Sequence, residues 1–218
     1  ITKYVSNNTA GATVGHGLGV PPHFIIVKNT DDTNNWNVYH KELGNTHGIY
    51  LDLTNDADDE VALWNDTSPT NTVFSIGNGN GVNNSSSHEY MAYCWAPIKG
   101  YSAFGKYVGD ATAGGGPFNY CGFKPRWVLM KGSSYGANWN LFDTTRDPNG
   151  NLATLCLRPN SNGSEFDANA QGAYSFAIDI VSNGFKLRGN GSDLNSSSQS
   201  YIWAAFAEHP FKTARGNF

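Results

Sequence analysis

The sequence has few cysteines and no long apolar run. Its three cysteines, Cys94, Cys121 and Cys156, are an odd number in a chain of 218 residues. A disulfide framework needs paired cysteines, so we interpret these three as small apolar strand residues rather than as disulfides or metal ligands. No apolar stretch approaches the roughly 18 residues of a membrane-spanning helix, and no signal peptide is visible. We therefore expect no insertion into a membrane.

Charged residues are also scarce, at 15% of the chain, and the net charge is −4. Proteins that bind nucleic acid carry clustered Lys and Arg, whereas here these residues occur in small scattered groups, such as Lys212 and Arg215 at the C-terminus. We expect no nucleic-acid partner. The residues that build long helices are sparse, while Asn occurs 26 times and Gly 25 times. Such a composition favours short strands joined by turns.

The sequence repeats itself over its first 40 residues. Residues 2–40 align with residues 105–143 at a constant offset of 103, and twelve of these 39 pairs are identical. The triplet Asn35-Trp36-Asn37, for example, returns as Asn138-Trp139-Asn140. Because both tryptophans keep their place in the pattern, we expect Trp36 and Trp139 to lie in the core.

Further along the chain the offset between the two copies becomes 111. Residues 84–87, Asn-Ser-Ser-Ser, then align with residues 195–198. A period near 105 is far longer than the roughly 20–50 residues of solenoid or propeller repeats, so each copy has the size of a domain. We predict two domains related by internal duplication, residues 1–100 and residues 101–218.

The predicted strands are short runs of β-branched and aromatic residues bounded by Gly, Pro and Asn. Many such runs, without a long helical period, predict an all-β fold of two tandem antiparallel β-sandwich units, jelly-roll-like in form. The opening Lys-Tyr-Val of each copy adds one strand to the set. The predicted strands are 23–28, 35–42, 48–54, 60–65, 72–77 and 88–97 in the first copy, and 126–131, 138–144, 152–158, 174–181, 184–188 and 199–208 in the second.

Patterns of catalytic residues are lacking in the sequence. It has neither the Gly-x-Ser-x-Gly of a nucleophile elbow nor the His-Glu-x-x-His of a zinc protease. Asp179 resembles the central aspartate of a β-sandwich glucanase, but Ala177 and Ser182 stand where that pattern has carboxylates. Glycoside hydrolysis needs two carboxylates, so we predict that the protein is not an enzyme.

Trp64 has no aromatic counterpart in the second copy, and Asn65 and Asp66 follow it. An exposed aromatic ring beside amides and carboxylates is a common platform for a sugar ring, and recognition residues concentrate in loops. The Asn- and Gly-rich loops at 77–87 and 188–198 occur at matching positions in both copies. The predicted carbohydrate-binding residues are Trp64, Asn65, Asp66, Asn78, Asn80, Asn83, Asn190 and Asn195.

An acidic segment at residues 52–60 offers oxygen ligands of the kind that calcium prefers. Its spacing is not that of an EF-hand, and the second copy has few acidic residues there. A solvated acidic loop is the alternative interpretation. If a structural Ca²⁺ is bound, we expect it near Asp56, Asp58 and Asp59, and we expect no other cofactor.

Three segments carry a resemblance to a known family: Trp95-Ala-Pro-Ile-Lys-Gly-Tyr-Ser102, Gly122-Phe-Lys-Pro-Arg-Trp-Val128 and Ala207-Glu-His-Pro-Phe-Lys-Thr-Ala-Arg215. With these segments, nearly the whole chain resembles a duplicated domain of unknown function that recurs in virion proteins of tailed bacteriophages, especially marine ones. Such domains lie toward the ends of tail fibres or other large surface polypeptides. The resemblance implies an extracellular place on the virion surface, with other virion proteins as partners, and it supplies no catalytic or binding residues.

We therefore expect a non-enzymatic tail-fibre or receptor-binding module that attaches to host-surface carbohydrate. The resemblance to tail fibres also implies a homo-oligomer, with a trimer favoured. A purely structural virion component, such as a capsid decoration or fibre shaft protein, is the main alternative. A cellular carbohydrate-binding module is the third.

Overall fold

The computed structural model describes residues 1–85, 87–147, 151–167 and 175–208, and within them it is nearly all β. The chain divides into two compact units, Ile1–Ala96 and Pro97–Phe218. Every strand pair among the described residues is antiparallel. The predicted all-β fold class is thus confirmed. No helix of the described residues is long and apolar enough to cross a membrane.

The first unit contains a six-stranded sheet of order β1-β8-β3-β4-β5-β6 and a two-stranded sheet of β2 and β7. Its core packs alternate residues of β3, such as Ile25 and Val27, against Val14 of β2 and Phe74 of β7. This arrangement is consistent with a β-sandwich. The elements are β1 Thr2–Val5, β2 Ala12–Gly15, β3 Phe24–Asn29, β4 Asn37–His40, β5 His47–Tyr50, β6 Asp58–Asp59, α1 Val61–Trp64, β7 Val73–Ile76 and β8 Glu89–Trp95.

The second unit contains a four-stranded sheet of order β12-β11-β17-β9, a three-stranded sheet of order β10-β16-β15, and the pair β13-β14. Its core packs Val128 and Met130 of β11 with Ile180 and Phe185 of the three-stranded sheet. The elements are β9 Ser102–Val108, β10 Phe118–Tyr120, β11 Pro125–Gly132, β12 Trp139–Asp143, β13 Leu155–Cys156, β14 Phe166–Asp167, β15 Ile178–Val181, β16 Gly184–Leu187, α2 Ser192–Asn195 and β17 Ser200–Ala207.

Four strands pair in the same order and register in each unit. The order β1-β8-β3-β4 of the first unit corresponds to β9-β17-β11-β12 of the second. Tyr4 lies opposite Tyr90 with its ring stacked at 5.2 Å, and Tyr107 lies opposite Tyr201 with its ring stacked at 4.8 Å. Residues that correspond in the aligned sequences therefore occupy corresponding places in these sheets.

Two details differ from the sequence-based expectations. The predicted strand at 60–65 is the short helix α1, because Leu63 and the adjacent Trp64 both point into the core, which neighbouring residues of a strand do not do. Trp139 is buried as expected, at 1% exposure, but Trp36 is only half-buried and stacks on Tyr93 at 6.5 Å.

The three cysteines are free and buried. Cys94 lies in β8 and Cys156 in β13, whereas Cys121 follows β10 and is not in a strand. Burial raises the pKa of the Cys156 thiol to about 12 and that of Cys94 to about 11. Thiols that stay protonated and buried pack as small apolar side chains.

Candidate functional site

Trp64 is not the exposed platform that its isolated position in the alignment predicted. It is 1% exposed, at the end of α1, and its ring packs edge-on against Tyr39 with the centroids 5.8 Å apart. Its indole Nε1 has no hydrogen-bond partner among the described residues. A ring in this position has no face available for a sugar, so Trp64 is a core residue.

Asn65 and Asp66 form the turn that ends α1. Both have left-handed backbone conformations, with φ values of 51° and 47°. The backbone N–H of Asn65 donates to the carbonyl oxygen of Val61, and the carbonyl oxygen of Asp66 accepts a hydrogen bond from the Asn45 amide. Asn and Asp tolerate this conformation better than other side chains do, which gives the pair a structural reason to be present.

Asn83 and Asn195 are both fully buried and tie loops together within their own units. The Asn83 side-chain oxygen accepts hydrogen bonds from the backbone N–H groups of Asn7 and Asn8, at 2.8 and 3.1 Å. Asn195 accepts from the N–H of Asp110 at 2.9 Å in the corresponding place. These two asparagines are therefore structural and are not available to a ligand.

The same contacts correct the sequence alignment of these loops. Asn83 donates to the carbonyl of Gly77, and Asn195 donates to that of Gly189, so the local offset is 112 rather than 111. The residue that corresponds to Asn195 is thus Asn83 and not Asn84. The offset returns to 111 at Tyr90, which means that the first unit has one more residue between this loop and β8.

The acidic residues proposed for calcium are exposed, and no metal-binding group is found around them. Asp58 and Asp59 form β6, at the edge of the six-stranded sheet, and Asp56 precedes it. Within the described ranges, no three His, Cys, Asp or Glu side chains come together in a way that would hold a metal ion. The calcium site stays a prediction from composition.

Asp179, which resembles the central aspartate of a glucanase pattern, forms an ion pair with Arg188. Its carboxylate accepts a hydrogen bond from Arg188 Nε at 2.5 Å, and it lies in β15. Arg188 also donates to the carbonyl oxygen of Gly114. The aspartate therefore fixes an arginine that joins β16 to a neighbouring loop.

Three of the predicted residues, Asn78, Asn80 and Asn190, are exposed in their loops. Of these, Asn80 lines a polar cleft of about 290 Å³ in the first unit. Amides, one phenol, one carboxylate and glycine backbone make up most of its wall. The lining residues are Asn34, Asn35, Asn37, Tyr50, Glu60, Leu63, Gly79, Asn80 and Gly81.

Asn37 holds the opposite sides of this cleft together. Its side-chain amide donates to the carbonyl oxygen of Asn35 in the β3–β4 loop and to that of Gly81 in the β7–β8 loop, both at 2.9 Å. A Cβ atom at Gly81 would collide with the Asn37 amide, so glycine permits this close approach. On the β3–β4 side, Asn34 is fixed because its oxygen accepts from Asn29 at 2.9 Å.

The carboxylate of the cleft, Glu60, is hydrogen-bonded to the phenol of Tyr50. The Tyr50 hydroxyl donates to Glu60 Oε2 at 2.9 Å. Burial, this hydrogen bond and the negative charges of Glu60, Asp58 and Asp52 together raise the pKa of Tyr50 to about 12. The phenol therefore remains a neutral donor at physiological pH, in a region of negative potential. No Lys or Arg is among the described residues that line the cleft.

The second unit fills the corresponding space with its own side chains. Asp193 corresponds to Gly81, because Asn140 donates to the Asp193 carbonyl at 3.4 Å as Asn37 does to that of Gly81. The Asp193 carboxylate binds Arg158 Nη2 at 3.0 Å. It also accepts from the Asn138 amide at 2.8 Å. An ion pair thus occupies the position that is open in the first unit.

Sequence reasoning identified one cleft residue, Asn80, and missed Asn34, Asn35, Tyr50 and Glu60. These residues lie on loops and strand ends that are far apart in the sequence and meet only in the folded unit. The repetition of Asn35 and Asn37 was visible in the sequence. The replacement of Gly81 by Asp193 was not, because the sequence offset of 111 aligns Gly81 with Ser192, and the offset of 112 follows from the hydrogen bonds of the folded loops. The two copies share Asn35 and Asn37 but differ at Gly81, which indicates that they differ in structure at this place.

Comparison with family models shows that the chain belongs to the domain of unknown function DUF7483, whose model matches residues 1–210. Comparison with the curated proteins finds no match, and comparison with the solved structures finds none. The family carries no assigned activity, so function has to be argued from the site itself.

Proposed function

We propose that this chain is a non-enzymatic, carbohydrate-binding module of a bacteriophage virion surface, and that the cleft of the first unit is its sugar-binding site. The observation that carries the proposal is the cleft itself. It is lined by Asn34, Asn35 and Asn80 together with Tyr50 and Glu60. The resemblance of the sequence to virion proteins of tailed phages supplies the location.

The chemistry of the cleft matches that of a sugar. Vicinal hydroxyl groups donate and accept together, and amide side chains can pair with both functions. At about 290 Å³ the cleft is near the lower end of the roughly 300–1,000 Å³ of small-molecule sites, which suits one monosaccharide unit of a longer glycan. The ring of Tyr50 provides apolar surface for the C–H face of the sugar.

The same cleft supports binding rather than hydrolysis. Of the described residues that line it, Glu60 alone carries a carboxylate. Glycoside hydrolysis uses a pair of carboxyl groups about 5–10 Å apart, one on each side of the scissile bond. One carboxylate that already accepts from Tyr50 is suited to holding a ligand hydroxyl or amine.

Glycan-binding measurements with the isolated chain test this proposal. Asn35→Ala and Asn80→Ala each remove a cleft amide while leaving the backbone contacts in place, and we expect either change to weaken binding at least tenfold. Asn190→Ala is the matched control, since Asn190 is an exposed loop amide of the second unit, and it should bind as the wild type does. Equal binding by all four proteins would contradict the assignment of the cleft.

Adsorption of phage particles separates this function from a purely structural one. Virions that carry Asn80→Ala should adsorb to host cells more slowly than virions that carry Asn190→Ala, at equal particle number and stability. If both adsorb as the wild type does while the protein remains in the particle, the structural alternative, a capsid decoration or fibre shaft component, is favoured instead.

A further inference from the structure

The second unit places a cation where the first unit has an open cleft. The guanidinium of Arg158 is bound by the Asp193 carboxylate at 3.0 Å and lies over the rings of Phe166 and Phe176, at 4.9 and 5.7 Å from their centroids. Carboxylate pairing and ring contact both stabilise a positive charge. This part of the fold is therefore able to hold a cationic nitrogen.

Arg158 corresponds to Tyr50 of the cleft. Tyr50 lies opposite Asn37 in the pairing of β4 with β5. In the second unit Asn140 is the counterpart of Asn37, and the next residue, Leu141, forms a β-bridge with Leu157. Arg158 follows Leu157 directly. At this position the first unit thus has the shorter, uncharged side chain of Tyr50, and the second unit has the cationic side chain of Arg158.

The first unit has Gly81 in place of Asp193, so its negative charge near this place comes from a different residue, Glu60. Glu60 lines the cleft, and the charges of Asp52 and Asp58 act on Tyr50 beside it. Asp58 pairs with Gly48 in the first unit, and Phe166 pairs with Cys156 in the second. Phe166 is therefore the counterpart of Asp58. The second unit thus has Phe166 in contact with the Arg158 cation, whereas the first unit has the acidic Asp58 at the corresponding position. Without a basic residue in its wall, the cleft attracts cations and repels anions.

We propose that the cleft selects glycans with a free amino group, whose ammonium pairs with Glu60 while amides of the wall bind the neighbouring hydroxyls. This inference rests on the proposed carbohydrate binding and names its ligand class. A ligand ammonium would take the role that the Arg158 guanidinium has in the second unit. Carboxylated or sulfated glycans would be rejected, because an anion beside Glu60 is repelled.

Binding of three matched glycans tests the inference: a glucosamine oligosaccharide, its fully N-acetylated counterpart, and an oligouronate. The wild type should bind the free amine at least tenfold more tightly than the N-acetylated form and should not bind the oligouronate. Glu60→Gln keeps an acceptor for Tyr50 but removes the charge. In this variant the tenfold preference for the free amine over the N-acetylated form should disappear.

The outcomes distinguish this inference from the function on which it rests. If the wild type binds the glucosamine and N-acetylated oligosaccharides equally, and Asn80→Ala weakens both, the cleft binds sugars but the selection for an amine is wrong. Tight binding of the oligouronate would also overturn the inference. If none of the glycans binds to the wild type, both the inference and the proposed binding of amino sugars fail.

Discussion

Single asparagines have opposite roles in this chain, and burial decides which role each has. Asn83 satisfies two backbone N–H donors and three acceptors from the depth of a loop, whereas Asn78, five residues earlier, is exposed. An amide with internal partners replaces backbone hydrogen bonds that an irregular loop does not make for itself. The high Asn content therefore reflects the architecture of the loops as well as their solvent-facing chemistry.

Replacement of Asn83 by Ala should destabilise the first unit by about 2–4 kcal/mol. The change leaves the carbonyl of the buried Gly77 without this partner, at a cost of about 1–3 kcal/mol. It also removes the hydrogen bonds of the N–H groups of the exposed residues Asn7 and Asn8, at about 0.5–1.5 kcal/mol each. Chemical denaturation measures the loss. Asn78→Ala is the control and should stay within about 0.5 kcal/mol of the wild type. Equal stability of the two variants would mean that the network contributes nothing.

At the scale of elements, the long central strands were predictable and the two-residue strands were not. Strands β3, β8, β11 and β17 lie in the middle of their sheets, and continuous or alternating apolar residues marked all four. The two-residue strands β6 and β14 carry no such pattern, because their pairing depends on neighbours that are distant in the sequence. The helix α1 was taken for a strand since four residues are too few to show a helical period.

The cleft could not be read from the sequence for a related reason. Its wall comes from the β3–β4 loop, the end of β5, the start of α1 and the β7–β8 loop. Composition indicated that amides would be available, but not which ones face a common space. Trp64 was misleading because a residue without an aromatic counterpart in the other copy was taken as exposed, whereas it lies in the core of the first unit together with Leu63 of α1.

The end of α1 provides a prediction for an element boundary. Asn65 and Asp66 both hold left-handed φ values, which a β-branched side chain adopts only at a cost. Asn65→Val should destabilise the first unit by about 1–2 kcal/mol, whereas Asn65→Gly should be neutral or slightly stabilising. Thermal unfolding of the two variants checks this order. A valine variant as stable as the glycine variant would show that the backbone is not confined to this conformation.

At the scale of the whole molecule, the two units share a frame of four strands and differ in what their loops build on it. The frame keeps the tyrosine pairs Tyr4–Tyr90 and Tyr107–Tyr201. On this frame the first unit has an open acidic cleft, and the second has the Arg158–Asp193 pair in its place. Among the described residues, the open acidic cleft therefore belongs to the first unit, although both units carry the sequence pattern.

If the cleft of the first unit is the sugar-binding site of the chain, its binding is weak unless several chains act together. Single-sugar sites have modest affinity, and linking sites raises avidity by about 10²–10⁴ when the geometry lets them engage one surface. We therefore expect the protein to form a homo-oligomer, with a trimer favoured by the resemblance to tail fibres. Sedimentation velocity should show a species of three times the 23.6 kDa chain mass. Binding to a dense glycan surface should exceed binding to the same free oligosaccharide by at least 100-fold. A monomer that binds the dense glycan surface and the free oligosaccharide with equal affinity would contradict this expectation. Attachment would then depend on the number of chains that the particle itself displays.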